Sequence, residues 1–122
     1  MRIGELAERT GVSVRALRYY EEQHLLRADR TPSGQRTYAE AAVERVRLIQ
    51  QLYSAGLSSK LILGLLPCVE TGEADPRMMD RLVAERDRID RQVDELVRTR
   101  DRLDAIIGCS HAAHPTTSER AA

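Results

Sequence analysis

Apolar positions in the first 26 residues recur at helical spacing, with one interruption. In "RIGELAERTGVSVRALRYYEEQHLL", Ile3, Leu6 and Ala7 fall on one face of a short helix. Thr10-Gly11 then breaks the period, glycine being the residue that enters a left-handed turn at little cost. Ser13 is placed to cap a second helix. Its inner face holds Leu17 and one of Tyr19 or Tyr20. Val12 plugs the gap after the turn, and small Ala7 suits a close crossing. Two short helices about a tight glycine turn predict a helix-turn-helix.

The period then changes. "RADRTPSGQRTY" carries the turn cluster Pro32-Ser33-Gly34 between two short stretches able to pair. It predicts a hairpin wing, with Arg30 before the turn and Arg36 and Tyr38 after it. From Glu40 the helical spacing returns through Ala42, Val43, Val46, Ile49, Leu52 and Tyr53, and stops at Gly56. Ser58 or Ser59 caps a short apolar helix over Leu61 to Leu66, closed by Pro67, and "CVETGEADP" reads as a loop.

Beyond Pro76, Met79, Leu82, Arg86, Ile89, Val93, Leu96, Arg100, Leu103 and Ile107 step by three and four. Taken as heptad a and d positions, every d site is aliphatic and three of five a sites are apolar. A narrow apolar seam on an otherwise charged helix needs a partner helix. The seam outruns what a small head can cover, so self-association through Leu82, Ile89, Val93, Leu96, Leu103 and Ile107 is the favoured reading. Arg86 and Arg100 would each meet their own twin in a parallel pair, which points to an antiparallel one. The stretch from Cys109 to Ala122 shows no period and reads as a flexible tail. The expected organisation is a head over 1–73, a dimer helix over 74–108 and a tail over 109–122.

Composition adds little. The chain has 122 residues, 42% hydrophobic but without Phe or Trp, and 19 charges of each sign. Zero net charge argues against a bulk nucleic-acid coat protein and not against a reader that gathers its cations on one face. No apolar run is long enough to span a bilayer and no signal-peptide core stands at the N-terminus, so a cytoplasmic protein with two reduced thiols, Cys68 and Cys109, is expected. His24, His111 and His114 form no Ser/His/Asp or carboxylate constellation, and no phosphate loop is present. The chain does not read as an enzyme.

A helix-turn-helix lays its second helix in the DNA major groove. Val14, Arg15 and Arg18 are the outward candidates, and arginine there can read guanine or clamp phosphate. Tyr19 and Tyr20 can bond phosphate through their hydroxyls while a ring packs inside. Arg30, Arg36 and Tyr38 of the wing would reach the flanking backbone.

These stretches, with "LRYYE" and "GQRTY" foremost, resemble the MerR family of bacterial winged helix-turn-helix transcriptional regulators over about residues 1–108. The resemblance implies a mainly α fold: a head of four helices with a small β-hairpin wing, and a long C-terminal coiled-coil helix that pairs antiparallel into a homodimer. It implies DNA contacts from Arg18, Tyr19, Tyr20, Arg36 and Tyr38. It also implies a mechanism, in which the dimer binds a pseudo-palindromic promoter and, on a signal, bends and undertwists the spacer so that RNA polymerase engages both promoter elements. A larger drug-binding C-terminal domain is not expected, since fewer than twenty residues follow Ile107.

The signal is less legible. Metal-sensing members use a ligand at the start of the dimer helix and two cysteines in a loop after it. Here Ala74 stands at the first place, Cys109 at the first loop cysteine, and only Thr116, Thr117 and Ser118 near the second. Cys109, His111 and His114 could hold a soft metal, but three ligands in a flexible tail without a supporting shell are more simply incidental, and no cofactor is expected. Cys68 reads as a half-buried small hydrophobe or as a thiol open to redox stress. A competing reading from another class is a coiled-coil adaptor whose helix-turn-helix head binds protein instead of DNA.

Overall fold

Helix α1 (Ile3–Thr10) ends where Gly11 takes φ 72 and sends its backbone N–H to the Ala7 carbonyl, so the break falls on the glycine. Two residues later the Ser13 side chain accepts from the Ala16 N–H at 3.1 Å and starts α2 (Val14–Glu22). Such a cap stabilises a helix by about 1 kcal/mol. The computed structural model describes residues 1–113, with side chains through Ser110. They fall into two compact units, Met1–Arg81 and the stretch from Leu82 onward.

In the first unit, α2 leads through Leu25 and Leu26 to strands β1 (Asp29–Arg30) and β2 (Arg36–Thr37), paired antiparallel with Asp29 opposite Thr37 and Arg30 opposite Arg36. Gly34, at φ 88, makes the turn possible, and the Thr31 N–H closes it on the Gln35 carbonyl at 2.8 Å. A two-stranded hairpin is marginal alone. This one is tied down by the Tyr38 N–H donating to the Met1 carbonyl at 2.7 Å.

Helix α3 (Ala41–Ser54) buries Ala42, Val43, Val46 and Ile49. It packs with α1, and the Arg9 guanidinium spans the joint in a fork to both Glu40 oxygens, at 2.7 and 3.0 Å. Helix α4 (Ser59–Thr71) is capped by Ser58, whose side chain accepts from the Leu61 N–H, and buries Leu61, Ile62, Leu65 and Leu66. Leu6, Leu17, Leu25, Val46, Ile49 and Ile62 are the fully enclosed residues of a core built without Phe or Trp.

Pro67 does not close α4, contrary to the sequence expectation; the helix runs on to Thr71 and ends at Gly72, φ 77. Proline removes one hydrogen bond, to the Leu63 carbonyl. The turn after it is secured by Thr71 Oγ1 donating to the Pro67 carbonyl at 3.0 Å and the Gly72 N–H donating to the Cys68 carbonyl at 2.7 Å. The expected loop "CVETGEADP" therefore shrinks to the few residues before Pro76, and Cys68 is helical. A close approach seats the next helix: a Cβ on Gly64 would lie 3.0 Å from the Met78 methyl carbon.

Helix α5 (Pro76–Ala113) begins with proline in its first turn, where no N–H is missed. The Asp75 carboxylate accepts from the Met78 N–H at 2.8 Å. The helix passes the expected end at residue 108. A lone Gly108 costs about 1 kcal/mol in a helix and is not a stop. Cys109 is accordingly on a helix and not in a loop, and of the expected tail residues 114–122 lie outside the described residues. The first compact unit takes in the opening of α5 through Arg81. In the second unit Val93, Leu96, Leu103 and Ile107 are all exposed. No helix among the described residues is long and apolar enough to cross a membrane.

Candidate nucleic-acid interface

The outward face of α2 is set by its inward anchors. Leu17 and Tyr20 are buried, and the helical period turns Arg15, Arg18 and Tyr19 away from them. Arg15 and Arg18 are exposed and, among the described residues, make no hydrogen bond or ion pair. Tyr19 is 46% exposed. Val14, in the first turn, is half-buried. Free guanidinium groups on the second helix of a helix-turn-helix suit phosphate oxygens or guanine edges.

The two tyrosines divide their work. Tyr20 stacks on Tyr53 of α3 with centroids 5.7 Å apart, and burial pushes its phenol pKa up. Its ring is core, leaving Tyr19 as the one that faces outward. Tyr38, placed on the sequence reading among the wing's DNA contacts, is only 2% exposed. Its hydroxyl donates to Glu21 Oε1. Burial and that bond push its pKa up to about 12, against the lowering charges of Arg36 and Arg18. Tyr38 therefore holds the wing to α2, with its hydroxyl engaged by Glu21.

Arg36 is half-exposed and paired with Glu21 at 3.1 Å. Directly across the hairpin stands Arg30, whose guanidinium donates to the Gly34 carbonyl at 2.9 Å. Like charges in register across a strand pair are unfavourable, and an anion beside them would relieve the cost. A concavity of about 280 Å³ opens between α1, α2 and the wing, lined by Arg2, Ile3, Arg18, Gln35, Arg36 and Tyr38. It presents three guanidinium groups and no carboxylate. A larger one of about 380 Å³, beyond the α2–wing connection, is lined by Arg27 and Arg45 but also by Asp29 and Glu70. The paired signs make it a poor anion cradle.

Sequence reading missed Arg2, Gln35, Glu21 and Lys60. Arg2 donates to the Gln35 side chain 33 residues away, a pairing no local pattern reveals. Lys60 stands at the N-terminus of α4, where backbone N–H groups and the helix dipole favour anions. That end is on the α2 side, since Tyr53, stacked on Tyr20, also hydrogen-bonds Ser59. The signal was available in the Ser58-Ser59 cap followed by the chain's single lysine.

The described sensor candidates fall in different units. Cys68 is half-buried on α4 and Cys109 exposed on α5. Among the described residues no three His, Cys, Asp or Glu side chains gather as a metal cluster. The His111 side chain and His114 lie outside the described residues.

Residues 1–67 match the family model for the MerR HTH family regulatory protein. The mercuric resistance operon regulatory protein of Bacillus cereus is 36% identical over 93 residues, covering 75% of this chain and 70% of that one. Nodulation protein NolA of Bradyrhizobium elkanii is 41% identical over 92 residues, but those span only 39% of its length. Among solved structures, a putative MerR family transcriptional regulator from Listeria monocytogenes matches with TM-score 0.78 at 26% identity, covering 98% of this chain and 92% of that one. HiNmlR, a MerR family regulator lacking the sensor domain and bound to promoter DNA, has the same fold, with TM-score 0.77 at 24% identity over 99% and 98% of the two chains. With a glycine-broken helix pair, a hairpin wing and an arginine-lined face, this chain belongs to the MerR family of helix-turn-helix, DNA-binding transcriptional regulators.

Proposed function

We propose that the protein binds promoter DNA as a homodimer and activates by bending and undertwisting the promoter spacer so that RNA polymerase can engage it. The observation that carries the DNA contact is the set of exposed, unpaired Arg15 and Arg18 on α2 beside the arginine-lined concavity under the wing. Phosphate contacts from the wing and α4 would set the register, and the α2 arginines would meet base edges. The seam on α5 supports pairing of two copies. In an antiparallel pair, a positions meet d positions. The longest such register puts Leu82 opposite Ile107, Arg86 opposite Leu103, Ile89 opposite Arg100 and Val93 opposite Leu96. Neither a-site arginine then faces its twin. Cys68 and Cys109 are the thiols on which a metal or oxidant signal would act.

The test is a salt titration of binding to a duplex selected by the wild-type protein from a random double-stranded library. Affinity should fall steeply and linearly on log–log axes as phosphate contacts release counterions. Arg18→Ala should cost about 1–3 kcal/mol and relax base preference at one position of each half-site. A flat salt response, or Arg18→Ala binding with unchanged affinity and preference, contradicts the reading; the first result favours a head that binds protein.

A further inference from the structure

Glu21 is an acid in the middle of a basic surface. Its side chain is 14% exposed, and its two oxygens serve two residues of the wing side: Oε1 accepts from the Tyr38 hydroxyl and Oε2 pairs with Arg36 at 3.1 Å. Arg36 lines the concavity shared with Arg2 and Arg18. Considered as charge alone, this carboxylate repels phosphate and weakens DNA binding. As geometry it does the opposite, because it fixes a long, flexible side chain of the wing relative to α2. Holding a guanidinium before the ligand arrives removes an ordering cost that binding would otherwise meet.

We propose that Glu21 is the positioning residue of this interface: it clasps Arg36 and Tyr38 to α2 and so aims Arg36, on the concavity it shares with Arg18 and Arg2, at the DNA phosphates flanking the base edges that Arg18 meets. The inference rests on the DNA-binding reading of the site and names the residue that organises it. Tyr38 stays protonated through the neutral range, its pKa raised to about 12, so its hydroxyl remains a donor to Glu21 there.

The two views predict opposite signs. Binding of the full chain to the selected duplex is measured over a range of salt for wild type, Glu21→Ala, Glu21→Gln, Arg36→Ala and the double variant Glu21→Ala/Arg36→Ala. Positioning predicts that Glu21→Ala weakens binding roughly tenfold and lowers the salt slope by about one, as Arg36→Ala does. The double variant should be no worse than either single one. Glu21→Gln, which keeps an acceptor oxygen, should fall between wild type and Glu21→Ala. A purely structural role would lower affinity without moving the slope, and overturns the inference. So does tighter binding by either Glu21 variant, or additive losses in the double variant. If Glu21→Ala does not fold, Glu21→Gln against Arg36→Ala carries the same comparison of sign and slope. Failure of the wild type to bind any duplex would instead remove the DNA reading itself.

Discussion

Leu17→Ala is expected to cost the head about 2–5 kcal/mol, the range for emptying a fully buried leucine site. Leu17 has no exposed surface and anchors α2 from the inside. The compact unit that holds it has only aliphatic residues and tyrosines in its core. At about 0.05–0.15 kcal/mol per residue, a unit of this size is stabilised by only roughly 4–12 kcal/mol in total. The substitution would therefore leave much of the head unfolded at moderate temperature, and DNA binding would fall with it although Leu17 touches no DNA. All four tyrosines lie between residues 19 and 53 and there is no tryptophan, so tyrosine fluorescence reports the head without interference from α5. A drop in the denaturant midpoint by that signal, well beyond the ~1 kcal/mol expected for loss of a helix cap, is the predicted result. A midpoint equal to wild type would mean that α2 is not held through Leu17.

Leu96→Asp has the second large effect, on assembly. Leu96 is 63% exposed in the single chain, with Val93 at 49% and Leu103 at 53% along the same seam. Burying an aliphatic side chain of this kind stabilises by about 1.5–3 kcal/mol, and a pair of copies buries each site twice. An aspartate there loses that gain and also forces a carboxylate toward an apolar seam. Dissociation of the dimer should increase by at least about 100-fold, roughly 3 kcal/mol. Sedimentation should show a monomer at concentrations where the wild type is a dimer, while the tyrosine signal of the head stays native. Promoter binding should weaken further than for Arg18→Ala, because one copy engages only one half-site. A wild-type protein that is monomeric at all concentrations would rule out the seam as a self-association surface.

Local chemistry made much of this legible in the sequence. Gly11 can take a positive φ and Ser13 can cap, so the turn of the helix-turn-helix is written in two residues. Pro32-Ser33-Gly34 marked the wing, and the three-four spacing from Met79 marked α5. What escaped was set by context. Pro67 looked like a stop, yet buried Leu65 and Leu66 and the Thr71 and Gly72 caps carry α4 past it. Gly108 and Cys109 looked like the start of a loop, but neither interrupts a long helix at prohibitive cost.

At the interface, arginines on α2 were visible from the period alone, because Leu17 defines the opposite face. The setting of Tyr38 was hidden for the converse reason. Nothing near it in sequence says that its ring is buried and its hydroxyl taken by a carboxylate 17 residues earlier. Arg2 with Gln35, and Glu21 with Arg36, are pairings of tertiary structure. A motif can name the surface, but the clasp that organises it appears only once the wing is folded against α2.

On the proposed function, two copies of this chain read one DNA site through α2 and the wing. Hydroxyl-radical footprinting of the wild type on the selected duplex, with the mass of the complex measured in parallel, tests it most directly. Two protected half-sites related by a dyad, separated by about one helical turn or a multiple of it, in a complex holding two chains, is the predicted result. A single unpaired patch of protection in a one-chain complex, or no protection even at low salt, would contradict it.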